Sequence, residues 1–211
     1  MGTASDMEYN VRVYHGTQRS SGMQILSTRQ FKASRGIEQW LGDGVYFWLH
    51  DLDAYWWIRV KWRRRVQSEK RDPVRFTLIE NYCIITADIQ TTRERVFDLT
   101  DPTHRMAFFD IMRQVKDRVA RGKLSGNEVA ETYVLNHMFK TLRFSEDYDV
   151  VLAMYPQHRK MYNDFETRLG YMPQWQVCVK NIPVATIVEE YPLHSKKAEL
   201  ERLYSLYISA V

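Results

Sequence analysis

The residues best suited to chemistry fall in two short segments near the N-terminus. In Tyr14-His15-Gly16-Thr17 an imidazole and a hydroxyl flank a glycine at the end of a strand-like run. A glycine there lets a ligand approach the backbone closely, because no side chain intervenes. In Leu41-Gly42-Asp43-Gly44-Val45-Tyr46-Phe47, two glycines flank an acid ahead of a β-rich run, and Tyr46 can present its ring face to a planar group. Trp56 and Trp57 follow shortly after. Each segment taken singly also fits plain structure, a histidine satisfied beside a strand and a glycine turn.

Several kinds of chemistry are excluded by what surrounds these segments. The six histidines are scattered without a ligand-type spacing, and Cys83 and Cys178 lie inside apolar, strand-like runs. No metal is therefore expected, and both thiols read as buried and free. Charged residues make up 27% of the chain, and no apolar run approaches the ~20 residues of a membrane helix. With no basic, apolar leader at its start, the chain reads as cytoplasmic, with no membrane partner. Its 211 residues, unbroken by linker or repeat, read as one catalytic domain over 1–211.

Charge is unevenly placed. Between Arg59 and Arg75 eight basic residues, among them Lys61, Arg63, Arg64 and Arg65, face only Glu69 and Asp72, whereas the whole chain carries +4. Such a segment is either a solvated helix face or a surface for an anionic partner.

The elements that would position these groups follow from apolar spacing. Val11 to Tyr14 alternates as a short strand, and Met23, Ile25 and Leu26 suggest a short helix. Val45 to Trp48 is a strand, and a helix from Asp51 carries Leu52, Tyr55, Trp62 and Val66 at helical spacing. Phe76 to Ile89 reads as one or two strands. Asp101-Pro102 is an N-cap pair for a helix to about Ala120, with Phe108, Met112, Val115 and Val119 as its stripe and Gly122 at its end. Ser125 and Glu128 form a capping box for the next helix, with Leu135, Met138, Phe139 and Leu142 as its buried face. Strands at Val150–Met154, Trp175–Val179 and Val184–Val188 precede a last helix from Ser195, bearing Leu200, Leu203, Tyr204 and Tyr207. The mixture is α+β.

Taken together and in this order, the segments resemble the ADP-ribosyltransferase superfamily, in its diphtheria-toxin-like and poly(ADP-ribose)-polymerase-like branch with a His-Tyr-Glu signature. Tyr14-His15-Gly16-Thr17, Ile25-Leu26-Ser27, Gly42-Asp43-Gly44-Val45-Tyr46-Phe47, then Ala54 with Trp56-Trp57, carry the match. Gln176-Val177-Cys178-Val179-Lys180-Asn181 looks like the strand that begins with the third signature residue. The resemblance implies a split β-sandwich with flanking helices and NAD folded into the crevice. It also implies that His15 donates to an adenosine-ribose hydroxyl, that the Gly16 backbone pairs with the nicotinamide carboxamide, and that Thr17 adds a hydroxyl. Tyr46 would stack on nicotinamide, with Trp56 or Trp57 opposite and Lys32 near the adenosine.

The chain departs from the family at the third signature position, where Gln176 stands in place of glutamate. A glutamine orients a ribose hydroxyl but carries no charge and cannot act as a base. Transfer of a single ADP-ribose is expected over polymer growth, with Asp43, Glu189 or Glu190 as alternative acids. The basic segment following the tryptophans favours RNA or single-stranded DNA as acceptor, modified on a base. A protein side chain as acceptor, or NAD or RNA binding without catalysis, are the alternatives. A small catalytic domain of this kind looks like a bacterial toxin of toxin–antitoxin or phage-defence systems, restrained by an antitoxin protein.

Overall fold

Alternation of apolar side chains builds the strands of this computed structural model, which describes residues 7–36, 39–120, 131–155 and 173–208. The strands are β1 (Glu8–Gln18), β2 (Val45–Trp48), β3 (Tyr82–Thr92), β4 (Val96–Asp98), β5 (Val150–Tyr155), β6 (Gln174–Val179) and β7 (Ala185–Glu190). They join in one sheet in the order β4-β5-β6-β2-β1-β3-β7, antiparallel throughout except between β4 and β5. The helices are α1 (Arg19–Thr28), α2 (Asp51–Ser68), α3 (Leu78–Asn81), α4 (Pro102–Ala120), α5 (Glu131–Lys140), α6 (Phe144–Asp147) and α7 (Leu193–Ile208). The fold is α+β.

Successive residues face opposite sides of a sheet, and the cores sort accordingly. Cys83, Ile85 and Ile89 of β3, Val45 and Phe47 of β2 and Val177 and Val179 of β6 share one core with Ile25 of α1. On the other face, Val151 of β5 and Cys178 of β6 pack with Phe108 of α4 and Leu135 and Met138 of α5. A separate core on that face joins Ile84 and Trp48 to Tyr55 and Ile58 of α2 and Leu200 and Tyr204 of α7. Both cysteines are buried and free.

One joint in the sheet is thin. β1 pairs with β3 from Glu8↔Thr92 to Gln18↔Tyr82, but meets β2 at Tyr14↔Trp48 alone. β2 in turn pairs fully with β6, Val45↔Val179 through Trp48↔Gln176.

Some elements depart from their sequence patterns. β1 runs through His15-Gly16-Thr17 because β3 pairs with it there, a long-range partner that local alternation does not reveal. The strand expected from Phe76 begins only at Tyr82. Before it, Thr77 accepts a hydrogen bond from the Glu80 amide (3.4 Å) and caps the short helix α3. The three-residue strand β4 has no sequence signal of its own. Leu142, expected on a buried helix face, is exposed. Asp101 does cap α4, accepting from the amides of Thr103 (2.7 Å) and His104 (3.2 Å). Gly122, Ser125 and Glu128, and the side chains of Val119 and Tyr207, lie outside the described residues.

Asp149, 3% exposed at the start of β5, ties several strand ends together. Its carboxylate accepts from Arg95 (2.7 and 2.9 Å), Thr91 (2.6 Å) and Asn181 (2.8 Å). The Arg95 hydrogen bonds hold it at a pKa of about 2, against the cost of burial. A depressed carboxylate stabilises the fold above its unfolded pKa and loses that contribution as pH falls through the folded one. Asp149→Ala is therefore expected to cost about 3 kcal/mol at pH 7, since it strands a half-buried guanidinium. In urea unfolding the difference from wild type should shrink below about pH 4 and largely vanish near pH 2.

Candidate functional site

The thin joint between β1 and β2 leaves an opening in the middle of the sheet. A cavity of about 680 Å3 occupies it, within the ~300–1,000 Å3 usual for small-molecule sites. Its lining comes from both faces. His15, Thr17, Gln24, Ile25 and Lys32 contribute from the α1 side, and Tyr46, Trp48, Gln176 and the α2 residues Trp56, Trp57, Lys61 and Arg64 from the other. Gly16 lines it at the strand between them.

His15 is half-buried against the rings of Phe31 and Phe47, each centroid 5.6 Å away. Burial pushes its imidazole below the usual range, so the ring is neutral at pH 7. Its Nδ1 lies 2.8 Å from the Tyr46 carbonyl, which can only accept, so Nδ1 carries the hydrogen. Nε2 is then an acceptor. A ribose hydroxyl would donate to His15, the reverse of the direction implied by the resemblance.

Tyr46 is held at its far end. Its hydroxyl donates to the Gly42 carbonyl (2.5 Å) and accepts from the Leu41 amide (2.9 Å). Gly42 takes φ +74°, the left-handed region that suits glycine, and so closes this turn. Burial drives the phenol pKa far above its ordinary value, so Tyr46 supplies a neutral ring.

The indoles of Trp48, Trp56 and Trp57 line the same cavity. Trp48 lies 6.2 Å from Trp56 and 6.1 Å from Trp57 between ring centroids, and the Lys61 ammonium sits 4.5 Å over the Trp57 ring. Both candidate tryptophans line the cavity, so neither is excluded. Trp48 was missed in the sequence, although period-2 alternation places it on the Tyr46 face of β2. Trp40, which packs against Tyr155 (5.0 Å), is a second addition.

Gln176 reaches the same space from β6, in register with Trp48. It is 6% exposed, and its Oε1 is buried with no hydrogen-bond partner among the described residues. A buried acceptor left unpaired costs about 1–3 kcal/mol, which a donor entering the cavity would relieve. Asp43, Glu189 and Glu190 do not line the cavity. Asp43 is bound by Lys140 (2.6 Å) and Asn136 (3.3 Å). Glu189 and Glu190 lie on the edge strand β7, beyond β3, with Glu190 paired to Arg19 (3.0 Å). Asp53, pushed up to about 6 by burial, is engaged by Gln174 (3.3 Å) and also lies outside the lining. Among the described residues the lining holds no carboxylate, while Lys32, Lys61 and Arg64 supply positive charge.

The basic segment divides. Lys61 and Arg64, one turn apart, line the cavity, and Arg63 is exposed. Arg59 turns away, its guanidinium 4.5 Å over the Tyr204 ring and 3.8 Å from Glu201. Arg65 pairs with Glu69 (2.8 Å). Trp62 donates to the Phe76 carbonyl (2.7 Å) and so is not a free stacking platform. Helical phase separates these residues, so the expected binding segment reduces to its Lys61–Arg64 face.

A Cβ at Gly16 would lie 2.7 Å from the Ile58 Cγ2 and 3.1 Å from the Ala54 carbonyl of α2. Gly16→Ala should push α2 off β1, costing about 1–3 kcal/mol as overpacking. A thermal melt and the emission of the adjacent Trp57 check this, with a lower midpoint and altered emission expected.

No family model matches the chain, and no solved structure matches it. It is similar to the uncharacterized protein MJ0359 of Methanocaldococcus jannaschii, 34% identical over 197 residues that cover 86% of this chain and 87% of that protein.

Proposed function

We propose that this chain, which belongs to the same family as the archaeal protein MJ0359, is a mono-ADP-ribosyltransferase that moves ADP-ribose from NAD to a nucleic-acid base and releases nicotinamide. One observation carries the reading. His15, Gly16, Thr17, Lys32, Tyr46, Trp56, Trp57 and Gln176, drawn from both ends of the chain by sequence resemblance, line a single cavity. The single β1–β2 pair supports the split sheet expected of that fold.

In this reading NAD folds into the opening with its pyridinium ring between Tyr46 and the indoles. Aromatic faces favour a cationic ring, by about 0.5–2 kcal/mol per contact. The bond between the ribose C1′ and the nicotinamide nitrogen breaks, and its electron pair leaves with neutral nicotinamide. Positive charge then builds on the ribose, an oxocarbenium-like state. Gln176 Oε1 accepts from a hydroxyl of the nicotinamide ribose and holds that sugar as it flattens, while His15 Nε2 accepts from a hydroxyl of the adenosine ribose. Glutamine adds no negative charge, so the site suits one transfer to a nucleophile that brings its own lone pair. Lys61 and Arg64 favour phosphate near the mouth, hence RNA or single-stranded DNA as acceptor. Such an activity fits a cytoplasmic toxin of a defence system, restrained by an antitoxin.

A second reading, NAD binding without turnover, is favoured by the lack of a carboxylate among the described lining residues. Labelled NAD separates the two. The first predicts free nicotinamide and label in RNA or DNA that survives protease, and NAD binding with no nicotinamide would leave the second. Label lost to protease would instead indicate a protein acceptor.

Tyr46→Ala is expected to lower nicotinamide release about 10- to 100-fold, the scale of one lost ring stack. Gln176→Ala should reduce turnover more than NAD affinity, and Gln176→Glu should raise NAD hydrolysis. Full activity in Tyr46→Ala would remove the stacking assignment. Charge reversal at Lys61 and Arg64 should weaken nucleic-acid labelling and reduce its salt dependence, measured as the slope of log affinity against log salt.

A further inference from the structure

The ring of Tyr46 is only as well placed as the turn that holds its hydroxyl, and that turn is gripped from both sides. From α5, the Asn136 Oδ1 accepts from the Asp43 amide (2.7 Å) and Lys140 pairs with the Asp43 carboxylate (2.6 Å). From just beyond β6, the Lys180 ammonium donates to the carbonyls of Leu41 (2.5 Å) and Asp43 (2.7 Å). The Gly42 carbonyl between them receives the Tyr46 hydroxyl. Three successive carbonyls are thus held by the Lys180 ammonium and the Tyr46 hydroxyl, with the Cys178 thiol 3.9 Å from the last two. A Cβ at Gly42 would lie 2.7 Å from Asn136 Oδ1 and 3.2 Å from Lys180 Nζ, which shows how closely the two grips approach.

Lys180 has no exposed role to explain it. Its ammonium lies 5.0 Å from the Phe139 ring centroid, and burial holds its pKa below the usual range. A cation taken out of water at that cost is retained where its hydrogen bonds are specific. Lys180 is the residue that follows β6, four positions after Gln176. β6 and the residue that follows it therefore supply both the acceptor in the cavity and the clamp on the turn behind Tyr46.

We propose that Lys180 is a positioning residue for the nicotinamide wall, acting through the Leu41–Asp43 carbonyls and the Tyr46 hydroxyl without touching the ligand. This rests on reading Tyr46 as the ring that stacks on nicotinamide. It has a consequence that general structural support does not. Loss of the clamp should matter only for ligands that carry the ring.

The test is tryptophan-fluorescence titration with NAD and, separately, with ADP-ribose, which has no nicotinamide. Lys180→Met should bind NAD about fivefold more weakly, the scale of one lost hydrogen bond, and bind ADP-ribose as the wild type does. In a Tyr46→Ala background, Lys180→Met should add nothing, because both changes act on the same contact. Lys180→Gln keeps one donor toward the two carbonyls and should show the same selectivity at smaller size, which serves if the methionine variant fails to fold. Equal losses for NAD and ADP-ribose, or additive losses in the double variant, would overturn the assignment to Lys180. A wild-type protein that binds ADP-ribose and NAD equally, with Tyr46→Ala silent, would overturn the nicotinamide reading itself and the proposal with it.

Discussion

Tyr14 opposite Trp48 is the one register pair between β1 and β2, and the site depends on how little those strands share. On its other side β1 is laddered to β3 along its whole length, which keeps it straight and in register. Backbone groups along the far edge of β1 beyond Tyr14 therefore lack a strand partner, although buried backbone polar groups are almost always paired. A sheet that opens in its middle can take residues of both faces into one space. A fully zipped joint would put His15 and Thr17 on one side of a wall and Tyr46, Trp48 and Gln176 on the other.

The polar groups around this opening fall into two kinds. Those that shape it are satisfied: His15 on the Tyr46 carbonyl, Tyr46 between Leu41 and Gly42, Lys180 beneath the same turn. Gln176 Oε1, which has no such duty, is left without a partner among the described residues. Buried orphans of this kind are rare in folded proteins and each calls for a reason. In the proposed chemistry the reason is a ribose hydroxyl. Charge follows the same division, since the carboxylates near the site are paired away from it and the lining cations are not opposed by any described acid.

Much of this was legible in the sequence, because the informative features are local. The glycines beside His15 and before Tyr46, the paired tryptophans at the start of a helix, and the Asp101-Pro102 cap each declare themselves within a few residues. Features that depend on distant partners were not legible. β1 is longer than its alternation suggests because β3 supports it, and β4 exists only through its pairing with β5. Arg59 and Trp62 looked like part of a binding surface, but helical phase turns one toward Tyr204 and the other toward Phe76. Lys180 was visible only as a strand residue. Its role appears once β6 is laid beside β2 and the Leu41–Gly44 turn comes to rest over it.

In the proposed reading the opening between β1 and β2 holds a folded dinucleotide with its nicotinamide against Tyr46. A crystal structure of the protein with a non-cleavable NAD analogue, in which a carbocycle replaces the nicotinamide ribose, tests it most directly. The pyridinium ring is expected between Tyr46 and the Trp56–Trp57 wall, with a sugar hydroxyl within hydrogen-bond distance of Gln176 Oε1. An analogue bound elsewhere, or seated with its adenine in the aromatic slot and Gln176 Oε1 still unpaired, would contradict it.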